Sequence, residues 1–252
     1  AREQRLLSLA SGYGETTQAV NRTDFHMQQG AILDDYQNVA KTVADWTGVE
    51  RDIKFRVYNE GLGGPDKVIA ALKDCAVVCL MRERTLFGAD IINALPNLKL
   101  IVTSGMRNAA IDVGAAAQRN IPVCGTESLG HPTAELTLGL MLGLARKIGH
   151  ENARLKAGAK WQSTLGADLN GKTLGIIGLG KLGSRVARAA KALDMKVIAW
   201  SQNLTAERAA EHGATLVSKE DLFRQADFVT VHVPLSARTK GLVGANELAL
   251  MK

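Results

Sequence analysis

Thr173-Leu174-Gly175-Ile176-Ile177, running directly into Gly178-Leu179-Gly180-Lys181-Leu182-Gly183, is the stretch on which the fold turns. The first five residues predict a buried strand, and the next six predict a turn opening a helix that runs to about Leu193. Each glycine has its own physical reason. Gly178 permits a tight turn, Gly180 lets the backbone approach a pyrophosphate, and Gly183 lets helix and strand pack closely, while unpaired N–H groups at the helix start face phosphate. In this strand, turn and helix context the pattern points to dinucleotide binding by Gly178, Gly180, Lys181, Leu182 and Gly183. The competing reading is a tight turn with no ligand.

A dinucleotide fold predicts an acidic residue at the end of the next strand, to hold the adenosine ribose hydroxyls. That strand, Lys196 to Trp200, ends instead in Ser201-Gln202-Asn203. With Ser201 at the carboxylate's place, a 2′-phosphate is not repelled, and the choice between NAD and NADP stays open. Arg208, about two helical turns on, is either a partner for that phosphate or an exposed helix arginine.

Working outward, strand-length apolar runs alternate with helical patterns along the chain. The runs are Ala31 to Leu33, Ile53 to Tyr58, Ala76 to Met81, Leu98 to Thr103 and Ile121 to Cys124, with Tyr36 to Trp46 and Ala109 to Arg119 reading as helices between them. A second set comprises Thr173 to Ile177, Lys196 to Trp200, Thr215 to Val217 and Phe228 to Val233. Such alternation means βαβ units and mostly parallel sheets. The predicted class is therefore α/β, with two Rossmann-like or flavodoxin-like domains in tandem. Between them, Pro132 to Ile148 carries leucines in almost every helical direction and is expected to be buried on most sides. Glu135, Arg146 and Lys147 bracket a run shorter than the roughly 20 apolar residues a membrane span needs. Gly139 and Gly143 share a face that would admit a second backbone, at a domain junction, in a homodimer or in ordinary core.

The 252 residues are 46% hydrophobic and 22% charged, the balance of a globular chain and not of a disordered one. The net charge of +6 comes from scattered residues, and only 4% are aromatic, so no nucleic-acid surface is indicated. Cys75, Cys79 and Cys124 lie in or beside apolar runs and read as reduced core cysteines, with no metal-ligand cluster. The start of the chain has neither a secretory h-region nor the acid-poor composition of a transit peptide. It reads as a leader, tag or tail ahead of a start near Met27.

Several spaced motifs then fall in register. Ser104-Gly105-Met106-Arg107-Asn108 follows a strand, His131-Pro132-Thr133-Ala134-Glu135 opens the long helix, and the glycine fingerprint follows Leu169 to Gly175. Val231-His232-Val233-Pro234-Leu235-Ser236, with Thr239, comes next. Together they resemble the D-isomer-specific 2-hydroxyacid dehydrogenases, of the phosphoglycerate and hydroxypyruvate type, from about Ala31 to Lys252. The resemblance implies hydride transfer between NAD or NADP and a small 2-hydroxy or 2-oxo carboxylate, in a homodimer; the cysteines, the scattered charge and the short apolar run add a cytoplasmic protein with no nucleic-acid or membrane partner. After a leader or tag at 1–27, it implies a substrate domain at 28–127 and a cofactor domain at 128–252, with a cleft between the domains. It also implies that the Ser104-Gly105 turn offers N–H groups to the substrate carboxylate, where the bare sequence allows a plain βα turn. Arg82 and Arg84, in Met81-Arg82-Glu83-Arg84-Thr85, match an Arg-x-Arg-Thr segment facing a substrate phosphate. They read as an anion clamp or as partners of Glu83. His232, Val233, Pro234 and Thr239 match the wall of the cofactor pocket, and His232 is not the proton-transfer histidine. His131, His150 and His212 read as cap-region, helix-end or surface residues.

The family's catalytic arginine, acidic residue and histidine fall beyond the point matching Met251-Lys252. The expectation is a second domain lacking its last strands, weak nucleotide binding, no turnover from these residues alone and exposed strand edges near Phe228 to Val233. The alternatives are a nucleotide-binding interaction module of the corepressor kind, or a nonfunctional fragment.

Overall fold

The computed structural model describes residues 27–127 and 129–252, so the expected leader lies outside the described residues apart from Met27. The chain forms two compact units that divide between Ser128 and Leu129.

In the first unit, β1 (Gln28–Ile32), β2 (Ile53–Val57), β3 (Cys75–Leu80), β4 (Leu100–Thr103) and β5 (Val123–Gly125) make one parallel sheet in the order β2-β1-β3-β4-β5. Strand β3, Cys-Ala-Val-Val-Cys-Leu, is apolar throughout because both of its faces are covered, as parallel sheets require. Helices α1 (Pro65–Leu72), α2 (Ala89–Ala94) and α3 (Val113–Gln118) bury Val68, Leu72, Ile91, Ile92 and Ala116 against it. The sequence pattern fails at Tyr36 to Trp46, which forms turns and no helix. Asp35 takes the local amides for itself: its carboxylate accepts the N–H groups of Val39 and Ala40 at 3.0 and 2.9 Å. Asn38 is left-handed at φ 53°, and the Trp46 indole donates to the Ala40 carbonyl at 2.7 Å. Side-chain bonds of this kind compete with helix formation.

The second unit opens with α4 (His131–Ala145) and α5 (Ile148–Lys156). It continues as β6 (Thr173–Ile177), α6 (Gly183–Ala192), β7 (Lys196–Trp200), α7 (Ala206–Glu211), β8 (Thr215–Leu216), α8 (Lys219–Gln225), β9 (Phe228–Val231) and α9 (Ala245–Ala249). Its sheet is parallel in the order β8-β7-β6-β9, which places β6 inside and β9 at an edge. Leu174, Ile176 and Ile177 of β6 are fully buried: Val186, Ala187 and Ala190 of α6 pack with Leu174 and Ile176, while Ile177, on the other face, packs with Leu222 and Phe223 of α8. The loop after α5 is tied back by Glu151, whose carboxylate accepts the hydroxyl and N–H groups of both Thr164 and Ser163. These bonds, led by the Thr164 hydroxyl, push its pKa down to about 2.

The expectation for α4 is overturned. Only Ala134, Met141 and Ala145 are buried on it, while Leu136, Leu140 and Leu144 are 64%, 59% and 68% exposed. The helix packs on α6 with one narrow side, through Ala134, Met141 and Ala145. A Cβ placed on Gly139 or Gly143 meets nothing within 4 Å, so no backbone among the described residues uses their smallness. Among the described residues no helix is long and apolar enough to cross a membrane. The cysteines also differ from expectation. Cys75 is buried, but Cys79 is half-buried and Cys124 exposed, because β5 lies at the sheet edge.

Candidate functional site

The turn between β6 and α6 is built by its glycines. Gly178 is left-handed at φ 95°, and its N–H donates to the Trp200 carbonyl at 2.9 Å, pinning the turn to β7. A Cβ there would lie 2.7 Å from Val233 Cγ1 and 2.8 Å from the His232 carbonyl oxygen. Gly183 is buried, and a Cβ on it would overlap the Gly178 carbonyl. Gly180 is the opposite case, because a Cβ there points into open space. Leu182, the residue before α6, has no side-chain cap to offer, and Lys181 is exposed. Among the described residues the N–H groups of Leu179 to Gly183 have no well-formed acceptor. A row of unmet donors at the start of a ten-residue helix, around a glycine with free space above it, is a cradle for a phosphate anion. These residues fit a dinucleotide pyrophosphate.

Around the cradle, the His232 N–H donates to the Ile177 carbonyl at 2.8 Å. Its Nε2 lies 2.9 Å from Thr230 Oγ1, and burial holds its pKa below the usual histidine value. Among the described residues no carboxylate touches it, which fits a wall residue better than an acid or base. His131, His150 and His212 are exposed and, among the described residues, equally without a carboxylate partner; His150 faces Ser163 Oγ at 3.3 Å. Thr239 works inside its own loop. Its hydroxyl donates to the Pro234 carbonyl at 2.6 Å and accepts the Ser236 N–H at 2.8 Å, so it shapes the segment that carries Pro234. At the end of β7, the Ser201 carbonyl accepts the Leu204 N–H at 3.0 Å and closes a turn with no acidic residue in it.

In the first unit, Ser104 and Gly105 do form a turn after β4, but their amides are already engaged. The Ser104 N–H donates to the Leu80 carbonyl at 3.1 Å, and the Gly105 N–H to Thr126 Oγ1 at 2.9 Å. The amides left open among the described residues are those of Met106, Arg107 and Asn108. Arg82 joins this turn. Its N–H donates to Ser104 Oγ at 3.1 Å, its carbonyl accepts from Asn108 Nδ2 at 2.6 Å, and its guanidinium lies against Gly105. Arg84 does not join it. Its Nη1 donates to the Asp34 carbonyl at 2.6 Å, and the guanidinium stacks 4.6 Å from the Tyr36 ring centroid.

The expected clamp is therefore not formed. Arg82 sits left-handed at φ 54°, which breaks the strand alternation that would point residues two apart the same way. Glu83 has no ion pair among the described residues either. Thr126, Asn108 and Asp34, which fix these positions, carried no signal as site residues: a lone threonine, asparagine or aspartate takes such a role only from its neighbours in space.

A family model described as "D-isomer specific 2-hydroxyacid dehydrogenase, NAD binding domain" matches residues 138–252. Among solved structures, phosphoglycerate oxidoreductase from Vibrio cholerae superposes with a TM-score of 0.84 at 32% identity, covering 90% of this chain and 73% of that one. A glyoxylate reductase from a thermophilic Paecilomyces species is 30% identical with a TM-score of 0.67, over 90% of this chain and 71% of that one. D-3-phosphoglycerate dehydrogenase of Archaeoglobus fulgidus is 40% identical over 178 residues, 69% of this chain but 33% of its own length. The corresponding protein of Methanocaldococcus jannaschii is 38% identical over 191 residues and 36% of its length. The chain thus spans about a third of the curated relatives it matches. With the glycine cradle between β6 and α6 and the two parallel sheets on which these likenesses rest, the chain belongs to the D-isomer-specific 2-hydroxyacid dehydrogenase family.

Proposed function

We propose that the protein containing these residues is an NAD(P)-dependent oxidoreductase that interconverts a small D-2-hydroxy acid and its 2-oxo acid, with phosphoglycerate or hydroxypyruvate types foremost. The observation that carries this reading is the row of unmet N–H groups from Leu179 to Gly183 beside the open space at Gly180. A bound nicotinamide would supply or accept the hydride. The residues described here would hold the pyrophosphate on the cradle, keep His232 and Val233 against the turn, and present the open amides of Met106 and Arg107, with Arg82, to a carboxylate. No described histidine is assigned the proton, since none is hydrogen-bonded to a carboxylate. The neutral Ser201 to Asn203 turn supports acceptance of both NAD and NADP. Free thiols at Cys75, Cys79 and Cys124 suit the reducing cytoplasm.

The test is NADH or NADPH oxidation by the complete protein with hydroxypyruvate, phosphohydroxypyruvate and pyruvate. Turnover of at least one is expected. Nucleotide binding with no turnover of any 2-oxo acid would favour the interaction-module reading instead.

The exposed leucines of α4 support a homodimer formed through that helix. They make an apolar stripe at Leu136, Leu140 and Leu144, one turn apart, and burial is worth about 1.5 to 3 kcal/mol per leucine side chain. The double substitution Leu136→Lys with Leu140→Lys costs no core packing, because both side chains point to solvent. Light scattering is expected to show a dimer for the natural sequence and a monomer for the variant. A monomeric natural protein, or a variant that stays dimeric, counts against this interface.

A further inference from the structure

We propose that Asn170-Gly171, in the turn that leads into β6, is a modification site: the place where this chain loses ammonia by spontaneous deamidation, at a rate held down by Asp194. The inference does not depend on the dehydrogenase reading. Asn-Gly occurs once in the 252 residues. The reaction favours that pair because the attacking group is the main-chain nitrogen of the following residue, and glycine has no Cβ to crowd it. Elsewhere the following residue is bulkier, as with Val39 after Asn38, Ile121 after Asn120 and Leu204 after Asn203.

The Lys172 N–H donates to the Leu169 carbonyl at 3.0 Å, so Asn170 and Gly171 are the two central residues of a turn. Gly171 is left-handed at φ 73° and Asn170 is not, the pattern of a type II turn. Both are exposed, and a Cβ on Gly171 would meet nothing within 4 Å, so the pair is open to water. One residue restrains both reacting groups. The Gly171 N–H, which carries the nucleophile, donates to the Asp194 carbonyl at 3.0 Å, and Asn170 Nδ2, the leaving group, donates to Asp194 Oδ2 at 3.3 Å. Asp194 is itself left-handed at φ 57°, in the short connection between α6 and β7.

When the turn lets go of Asp194, the Gly171 nitrogen attacks Cγ of Asn170. The new N–Cγ bond forms, the Cγ–Nδ2 bond breaks, and ammonia leaves with the proton from the Gly171 nitrogen, giving a five-membered imide. Water then opens the imide at either carbonyl, to aspartate or to isoaspartate, and no other reactant is needed. Either product sets a carboxylate beside that of Asp194. An ionised carboxylate only accepts hydrogen bonds, so the side-chain bond to Asp194 cannot re-form and the step is one-way. The isoaspartyl product also adds a methylene to the main chain just before Lys172. The Lys172 carbonyl accepts the Lys196 N–H at 2.8 Å and Thr173 pairs with Lys196, so the change falls at the first rung between β6 and β7.

The experiment is prolonged incubation of the chain at mildly alkaline pH, followed by peptide mapping that separates asparagine, aspartate and isoaspartate forms. Asn170 is expected to convert before any other asparagine, and more slowly in the folded chain than in the same chain unfolded in urea. Asp194→Gly removes the restraining carboxylate and keeps a residue suited to the left-handed backbone. In the folded state it should speed conversion at Asn170 roughly threefold, a factor that one ordinary hydrogen bond supplies, while every other asparagine keeps its rate. In urea it should change nothing. First conversion at another asparagine, equal rates in folded and unfolded chains, an Asp194→Gly chain no faster than the natural one, or a speeding of all asparagines alike would each overturn the proposal.

Discussion

Gly180→Asp is expected to abolish dinucleotide binding while leaving the melting temperature of the protein essentially unchanged. The separation of the two effects follows from the geometry. A Cβ at residue 180 meets nothing within 4 Å, so the substitution displaces no part of the fold. The space it enters, however, is the space the unmet N–H groups of Leu179 to Gly183 keep for an anion. A carboxylate there takes those donors for itself and opposes the incoming pyrophosphate. At an effective dielectric of about 20, two unit charges 4 Å apart repel by about 4 kcal/mol, on the order of a thousandfold in affinity. Calorimetric titration with NADH, paired with a thermal melt, reads both quantities. Retained binding in a folded variant would mean that the glycine turn is only a turn.

Gly183→Ala should do the reverse and strike the fold first. The Cβ would overlap the carbonyl oxygen of Gly178 and sit 3.1 Å from Ile176 Cγ2. Backbone at both ends of the contact leaves no flexible side chain to give way. Either α6 lifts from β6, uncovering Ile176 and Val186, or the Gly178 turn distorts. Overpacking of this kind costs about 1 to 3 kcal/mol and more where backbone must move. For a unit of this size, each kcal/mol lowers the melting temperature by about 4 to 8 °C. A fall of about 10 °C or more is therefore expected in differential scanning calorimetry, with nucleotide binding lost as a consequence. An unchanged melt would mean that α6 can shift freely on β6, contrary to the close packing described here.

The contrast between these two glycines shows where sequence reading stops. Both stand in one motif and look alike as letters, and the motif in its strand and helix setting was enough to assign the α/β class and the strands Thr173 to Ile177 and Lys196 to Trp200. Which of them has room beside it and which is crowded depends on how the turn folds back on β6, bringing the Gly178 carbonyl and Ile176 against Gly183 and leaving Gly180 open. The same limit explains the failures. Tyr36 to Trp46 has helical spacing, yet Asp35 captures its first amides, and Asn38 turns the chain left-handed. The leucines of α4 promised burial all round, but apolar character does not say which face is covered within the unit and which is left exposed. Arg82 and Arg84, two residues apart, looked like one clamp until a left-handed Arg82 sent the first to the Gly105 turn and left the second on Tyr36.

Periodicity and local glycine chemistry act between near neighbours in the chain, so the sequence by itself determined the class of fold, the order of its strands along the chain and the place of the glycine turn between β6 and α6. The direction of the arginines, the engagement of the Ser104 and Gly105 amides by Leu80 and Thr126, and the hold of Asp194 on the Asn170-Gly171 turn were decided only by tertiary structure, because each rests on contacts between residues about 20 or more positions apart, whose energies exist only once the sheets have formed.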